Sequence, residues 1–195
     1  WLAGGSSMLP DSEGLGIPVD LSFAFHSDAG TTMNDSIIGT LGIYCTAGDK
    51  LGNGSSRQAS RDFTNDVMTN ITDDVRATFE PNWTRRGMWD ESYFEARVPQ
   101  VPAMLLELLS HQNFADMSLD PAFRFVVSRA IYKGMLKFLA RRDNRSYVVQ
   151  PLPVKSFAIS ASGAANYSLT WQATPDKTEP TALPTYYIIE ERVEN

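Results

Sequence analysis

One segment of the chain, residues 56–79, carries an apolar residue at every fourth position. The six residues are Ala59, Phe63, Val67, Ile71, Val75 and Phe79. A spacing of four places them along one face of an α-helix, whereas a β-strand brings every second residue to the same face. Pro81 ends the pattern, because proline cannot continue a helix. The segment therefore predicts a long amphipathic helix that buries one face against another layer.

Short apolar runs of strand length lie before and after this helix. They cover residues 19–25, 39–46 and 103–108. His26 directly follows the first of these runs. The first run has apolar residues on both faces, as in a buried sheet. Strands that alternate with helices predict an α/β fold, a mixed or mostly parallel sheet with flanking helices.

A second long helix is predicted to begin at Pro121. Asp120 is a suitable N-cap, and proline is favoured in the first helical turn. The apolar residues expected on its buried face are Phe123, Val127, Ala130, Ile131, Met135, Phe138 and Leu139. Arg141 and Arg142 suit the negative end of the helix dipole.

The pattern changes after about residue 147. Pro151 and Pro153 introduce strand-like alternation in three segments, at residues 154–159, 167–171 and 186–193, and no helical period returns. We therefore expect two domains, an α/β domain at residues 1–146 and part of an all-β sandwich at residues 147–195.

The composition excludes several classes of protein. A net charge of −6 argues against nucleic-acid binding, which needs clustered lysine and arginine. No apolar run approaches the roughly 18 residues of a membrane span. Cys45 is the one cysteine, so we expect no internal disulfide and a small buried side chain. The chain begins at Trp1 without a signal-peptide pattern, so we expect a processed or truncated start.

Two residues that follow apolar runs are candidates for metal-assisted hydrolysis. His26 follows the first run, and Glu107 closes the run Pro-Ala-Met-Leu-Leu at 102–106. Imidazole is a common zinc ligand, and a carboxylate beside the metal can transfer protons. Each residue also has a structural interpretation, His26 as a hydrogen-bonded residue and Glu107 as a surface or capping residue. His111 is a further candidate ligand, or a polar loop residue.

Five short segments then match the motifs of one enzyme family in order. They are Phe-His-Ser-Asp-Ala at 25–29, the strand-like Gly-to-Tyr run at 39–44, Arg86-Gly87, Val-Pro-Ala-Met-Leu-Leu-Glu at 101–107 with Asn113 after it, and Ala-Ile-Tyr-Lys-Gly at 130–134. They resemble the zinc-dependent N-acetylmuramoyl-L-alanine amidases, which cut the bond between muramic acid and L-alanine in peptidoglycan. The resemblance covers roughly residues 19–140, the C-terminal half of that catalytic domain.

The resemblance implies roles for two of the candidate residues. It carries His26 over as a zinc ligand and Glu107 as the catalytic acid/base. The family holds zinc with two histidines and a glutamate, and its first histidine and that glutamate precede the segments present here. We therefore expect the remaining ligands upstream or on a separate chain, and this chain alone to be inactive. Asp28 stands where the family has Asn, and Leu109-Ser110 where it has Gly-Phe.

The C-terminal tail resembles the start of a fibronectin type III domain. Trp171 is similar to the core tryptophan of its second strand, and residues 182–187 are similar to the approach to its third strand. The resemblance implies that the remaining strands of the sandwich lie outside this chain. Similar secreted bacterial amidase-like proteins with this module have also been labelled xanthan lyases.

Three functions therefore remain open at this point. The leading hypothesis is an extracytoplasmic zinc amidase acting on peptidoglycan, secreted, periplasmic or at the cell surface. The alternatives are a non-catalytic glycan-binding or surface scaffold protein with an amidase-like fold, and a polysaccharide-degrading enzyme of the xanthan lyase type. Trp1, Trp83 and Trp89 are candidates for stacking on sugars, or are packing residues.

Overall fold

The computed structural model of the protein describes residues 11–28, 39–48, 50–110, 116–163 and 166–192. The chain forms two compact units, Trp1–Arg145 and Ser146–Asn195. No helix among the described residues has the length and hydrophobicity needed to cross a membrane.

The first unit contains a four-stranded mixed sheet. Its strands are β1 (Ser22–Asp28), β2 (Thr40–Tyr44), β3 (Arg85–Asp90) and β4 (Ala103–Ser110), in the order β1-β4-β2-β3. β1 runs parallel to β4, β2 runs parallel to β3, and the central pair β2 and β4 is antiparallel. The carboxyl ends of β1 and β4 therefore lie at the same end of the sheet as the amino ends of β2 and β3.

Two long helices cover one face of this sheet. They are α1 (Gln58–Thr78) and α3 (Pro121–Arg142), and a short helix, α2 (Phe94–Arg97), connects β3 to β4. The prediction of a helix over 56–79 is confirmed, and the four apolar residues at the centre of its predicted face are fully buried: Phe63, Val67, Ile71 and Val75. They pack with residues of α3 and with alternate residues of β4 in the larger core.

The start of α3 is also confirmed. The Asp120 carboxylate accepts a hydrogen bond from the backbone N–H of Ala122 at 2.8 Å, and Pro121 occupies the first turn. This satisfies one of the backbone donors that a helix start leaves unpaired.

Polar contacts at four-residue intervals join α1 to α3. They pair Asp66 with Arg141, Asn70 with Lys137, and Asp74 with Lys133. The residue numbers rise along α1 while they fall along α3, so the two helices run antiparallel.

The structure corrects several predicted boundaries in the sheet. β1 begins at Ser22 and continues past His26 to Asp28, and β4 continues past Glu107 to Ser110, so neither candidate residue ends its strand. Both strands continue because their polar last residues still pair, Asp28 with Ser110. β1 is partly exposed rather than buried on both faces, since it is the outer strand of the described sheet.

The second unit contains one antiparallel strand pair. β5 (Lys155–Ala161) pairs with β6 (Tyr167–Gln172), as the alternation predicted. The predicted third strand, from 186 to 193, is wrong over the described residues 186–192, which have no strand pairing. Tyr187 instead packs edge-on against Trp171, with ring centroids 5.2 Å apart. The described residues of the second unit therefore form two strands and no sandwich.

Candidate functional site

His26 and Glu107 are register partners on the neighbouring parallel strands β1 and β4. Adjacent strands lie about 4.8 Å apart, and register partners direct their side chains to the same face. The two residues that the sequence singled out separately are therefore neighbours on one face of the sheet. Glu107 Oε2 is shielded from solvent, whereas the His26 side chain is 41% exposed.

Two rows of residues across the four strands form this face. The first row runs from His26 through Glu107 and Leu41 to Gly87, and the second runs through Ala24, Leu105, Ile43 and Trp89. Three of these residues, Leu41, Ile43 and Leu105, form a small buried core of their own with Ala24 against it. His26 and Glu107 therefore lie next to this small apolar core, on the face of the sheet opposite α1 and α3.

Glu95 joins the pair from the short helix α2. Its Oε1 lies 3.5 Å from Nε2 of His26, and its side chain is 41% exposed. α2 packs against β4, β1 and β2, and its Ala96 is fully buried, so the helix is anchored to the sheet. The site consequently combines one imidazole with two carboxylates from three different elements.

Sequence analysis did not find Glu95, because a single helical turn between two strands has no period to recognise. The residue belongs to an ordinary polar stretch in the sequence, and its approach to His26 depends on how α2 packs.

An ion pair links the two outer strands of the described sheet at the same end. Arg86 Nη2 lies 2.6 Å from Asp28 Oδ2, and both side chains are largely buried. Arg86 is on β3 and Asp28 is at the end of β1, so the contact joins two of the segments that resembled amidase motifs. A charge-assisted bond of this length fixes the end of β1 close to His26.

The backbone near Glu107 is irregular. Leu109 has φ of 59°, in the left-handed region that side-chain-bearing residues rarely occupy, and its N–H donates to the carbonyl of Gly39 at 3.0 Å. The register between β1 and β4 shifts here, between His26 and Asp28. Leu109 is the position at which the resembled family has glycine, the residue that adopts this conformation without strain.

Comparison with solved structures identifies the fold of the first unit. N-acetylmuramoyl-L-alanine amidase from Clostridium difficile 630 is 17% identical with a TM-score of 0.50, over 62% of this chain and 58% of that chain. AmiC2 of Nostoc punctiforme, also an N-acetylmuramoyl-L-alanine amidase, is 15% identical with a TM-score of 0.49, over 63% and 59%. The catalytic domain of CwlV from Bacillus (Paenibacillus) polymyxa var. colistinus is 20% identical with a TM-score of 0.49, over 62% and 58%.

The fold is amidase-like. The chain spans less than two thirds of the length of each of these three structures. No protein-family model and no curated protein sequence matches it.

The remaining candidate residues of the amidase-like unit have separate outcomes. Trp83 is fully buried in the larger core and is a packing residue. Trp89 is 49% exposed and lies on the same face as His26 and Glu107. Trp1 and His111 lie outside the described residues. Cys45 is free and fully buried, as expected of a small core residue.

The described residues do not complete a zinc site. A catalytic zinc has three protein ligands and a water molecule. His26 offers one imidazole nitrogen, but within the described ranges no three histidine, cysteine, aspartate or glutamate side chains are grouped to hold a metal.

Proposed function

We propose that this chain is part of an enzyme that hydrolyses the amide bond between N-acetylmuramic acid and L-alanine in peptidoglycan. The observation that carries the proposal is the register pairing of His26 with Glu107 on an amidase-like sheet. An imidazole beside a carboxylate on neighbouring strands can bind a metal ion through one group and move a proton through the other. The likeness to the Clostridium difficile amidase supports the proposal at the level of the fold.

Glu107 is proposed as the group that moves the proton. It would accept a proton from the water that attacks the amide carbon, and then deliver it to the amide nitrogen as the C–N bond breaks. The new C–O bond leaves a carboxylic acid on the muramic acid side and a free amine on L-alanine. A carboxylate with one shielded oxygen, placed next to the small apolar core, suits this exchange.

His26 is proposed as one ligand of a zinc ion, and the remaining ligands are proposed to lie outside this chain. They would come from preceding sequence or from a separate chain. Glu95, 3.5 Å from Nε2 of His26, would hold the imidazole in place from the other side. The Arg86–Asp28 pair would fix the strand end next to it.

The substrate and location follow from the same proposal. Peptidoglycan or a related glycan lies outside the cytoplasmic membrane, so we propose extracytoplasmic action. Trp89, about half exposed on the site face, would stack on a sugar ring of the substrate.

The two units are proposed to have separate roles. Residues 1–146 would be the C-terminal half of an amidase domain, and residues 147–195 would begin a fibronectin type III-like module. The exposed apolar side chains of β5 and β6 support the second assignment, because Phe157, Ile159 and Tyr167 are each more than half exposed. Apolar residues of this size are normally covered, here by the remaining strands of a sandwich.

A second candidate function is a glycan-binding or scaffold protein without catalysis. The observation that favours it is a group of exposed aromatic residues near the site, Trp89, Tyr93 and Phe94. Aromatic rings bind sugars by stacking and need no metal. Such a protein would retain peptidoglycan without cleaving it.

The experiment that separates the two functions measures new amino groups released from purified peptidoglycan by the full-length natural protein. We expect release by the wild type and, for Glu107→Gln, a loss of roughly two to four orders of magnitude, the usual contribution of a general acid/base. Glu91→Gln is the matched control, because Glu91 is exposed and lies outside the site. Retention of peptidoglycan without any release by the wild type would favour the binding function.

A further inference from the structure

A cavity in the amidase-like unit has a buried arginine in its wall. It encloses about 410 Å³, and its lining includes Gly48, Arg57, Phe94, Arg97 and Gln100. None of its lining residues is His26, Glu95 or Glu107. The cavity lies beyond the carboxyl end of β2, where the chain turns towards α1.

Arg57 is an unusual residue for this position. It is 7% exposed, and its Nε and Nη1 have no hydrogen-bond partner among the described residues. A buried charge without a partner is strongly destabilising, and folded proteins seldom keep one without a compensating ligand. The burial therefore indicates that something absent from the described residues satisfies these two nitrogens.

The surroundings of Arg57 leave room for a ligand. Gly48 has φ of 102°, and a Cβ built there would lie 3.4 Å from Nε of Arg57. A side chain at this position would be strained by the positive φ, and its Cβ would already be in van der Waals contact with the guanidinium. The small residue therefore keeps one side of Arg57 open to the cavity.

The two charged residues in the described lining of the cavity are both arginines. Arg97 contributes a second, exposed guanidinium, and the first turn of α1, which starts at Gln58, contains no acidic residue to offset the positive end of the helix dipole. Asp90 is already engaged, because its carboxylate accepts hydrogen bonds from the N–H and hydroxyl of Thr46. Glu95, on the same helical turn as Arg97, lies against His26.

We propose that this cavity binds a small oxyanion, a carboxylate or phosphate group, through Arg57. The planar guanidinium presents parallel N–H donors that match two oxygens of either group. Arg97 and Gln100 would contact the same anion or the part of the molecule attached to it. The proposal is independent of the proposed amidase activity, since it uses none of the residues assigned to that reaction.

The test is calorimetric titration of the full chain with inorganic phosphate and, separately, with acetate at constant ionic strength. We expect saturable one-site binding of at least one probe, and the tighter probe identifies the preferred oxyanion. Arg57→Gln should weaken that binding about 10- to 100-fold, the range expected when hydrogen bonds to a charged group are lost. Arg97→Gln should weaken it several-fold.

Arg61→Gln is the matched control, because Arg61 is exposed on α1 and pairs with Asp62. It should bind the probe as the wild type does. Circular dichroism establishes that Arg57→Gln is folded, and Arg97→Gln, at an exposed position, tests the cavity if it is not. The proposal is overturned if neither probe saturates below about 10 mM, or if both cavity variants bind as tightly as Arg61→Gln.

Discussion

Lys133 Nζ lies 2.9 Å from Asp74 Oδ1 and 2.8 Å from Asp74 Oδ2, and both side chains are buried between α3 and α1. The pair lies inside the core of the amidase-like unit rather than at its site. Its effect on stability follows from burial, because both charges have lost hydration and attract each other at close range.

Lys133→Met should therefore destabilise the fold by roughly 3–5 kcal/mol, since it leaves the Asp74 carboxylate buried without its cation. The double variant Lys133→Met/Asp74→Leu should recover most of that loss, because it also removes the buried carboxylate. Urea unfolding of both variants measures the difference. A single variant that costs less than about 1 kcal/mol would place this pair with weak surface ion pairs instead.

Gly134 marks a close approach between the two long helices. A Cβ at this position would lie 2.6 Å from Cα and 2.9 Å from N of Val67, both of which are backbone atoms. Gly134→Ala should lower the free energy of unfolding by roughly 1–3 kcal/mol, although alanine favours helices, because the helices must separate.

Ser128→Ala on the exposed part of α3 is the control for this substitution, with an expected change within about 0.5 kcal/mol. Thermal unfolding checks both variants. Equal stability of Gly134→Ala and wild type would mean that the helices do not approach this closely.

Substitutions of Leu109 can measure the free-energy cost of the left-handed backbone conformation at this position. Leu109→Gly and Leu109→Ala both lose the buried side chain, so their difference reports the backbone alone. The glycine variant should be the more stable by about 1 kcal/mol, because φ of 59° costs other residues that amount.

Leu108, the preceding residue, supplies the comparison in ordinary strand conformation. There the order should reverse, with alanine the more stable by roughly 0.5–1 kcal/mol. Chemical denaturation of the four variants provides both differences. The same order at both positions would contradict a left-handed Leu109.

The exposed apolar surface of the second unit leads to a prediction about proteolysis. β5 and β6 leave their outer backbone groups and much of their apolar surface uncovered, so this unit should open more readily than the first. Limited proteolysis should cut near residues 143–146 and degrade the tail first. Equal resistance of the two units would count against a partial sandwich.

The helices could be predicted from the sequence because their information is local. The four-residue period of α1 and the Asp120-Pro121 start of α3 are both present in consecutive residues. β3, with the sequence Arg-Arg-Gly-Met-Trp-Asp, has no clear alternation and is a strand because it pairs with β2. The predicted strand from 186 failed for the converse reason, since alternation without a pairing partner does not form a strand.

The candidate site was predicted in part. His26 and Glu107 each follow an apolar run, but their adjacency depends on the strand order β1-β4-β2-β3, which no local pattern specifies. The approach of Glu95 and the Arg86–Asp28 pair depend on tertiary packing across 58 or more residues. These contacts required the structure.

The division of roles between His26 and Glu107 is the central claim, and metal analysis of the purified full-length natural protein tests it most directly. We predict one zinc per amidase domain in the wild type, loss of zinc in His26→Ala, and full zinc occupancy in Glu107→Gln. A ligand and a proton-transfer residue differ in this way, because only the ligand is needed to hold the metal. Zinc-free wild-type protein, or equal zinc in wild type and His26→Ala, would contradict the account.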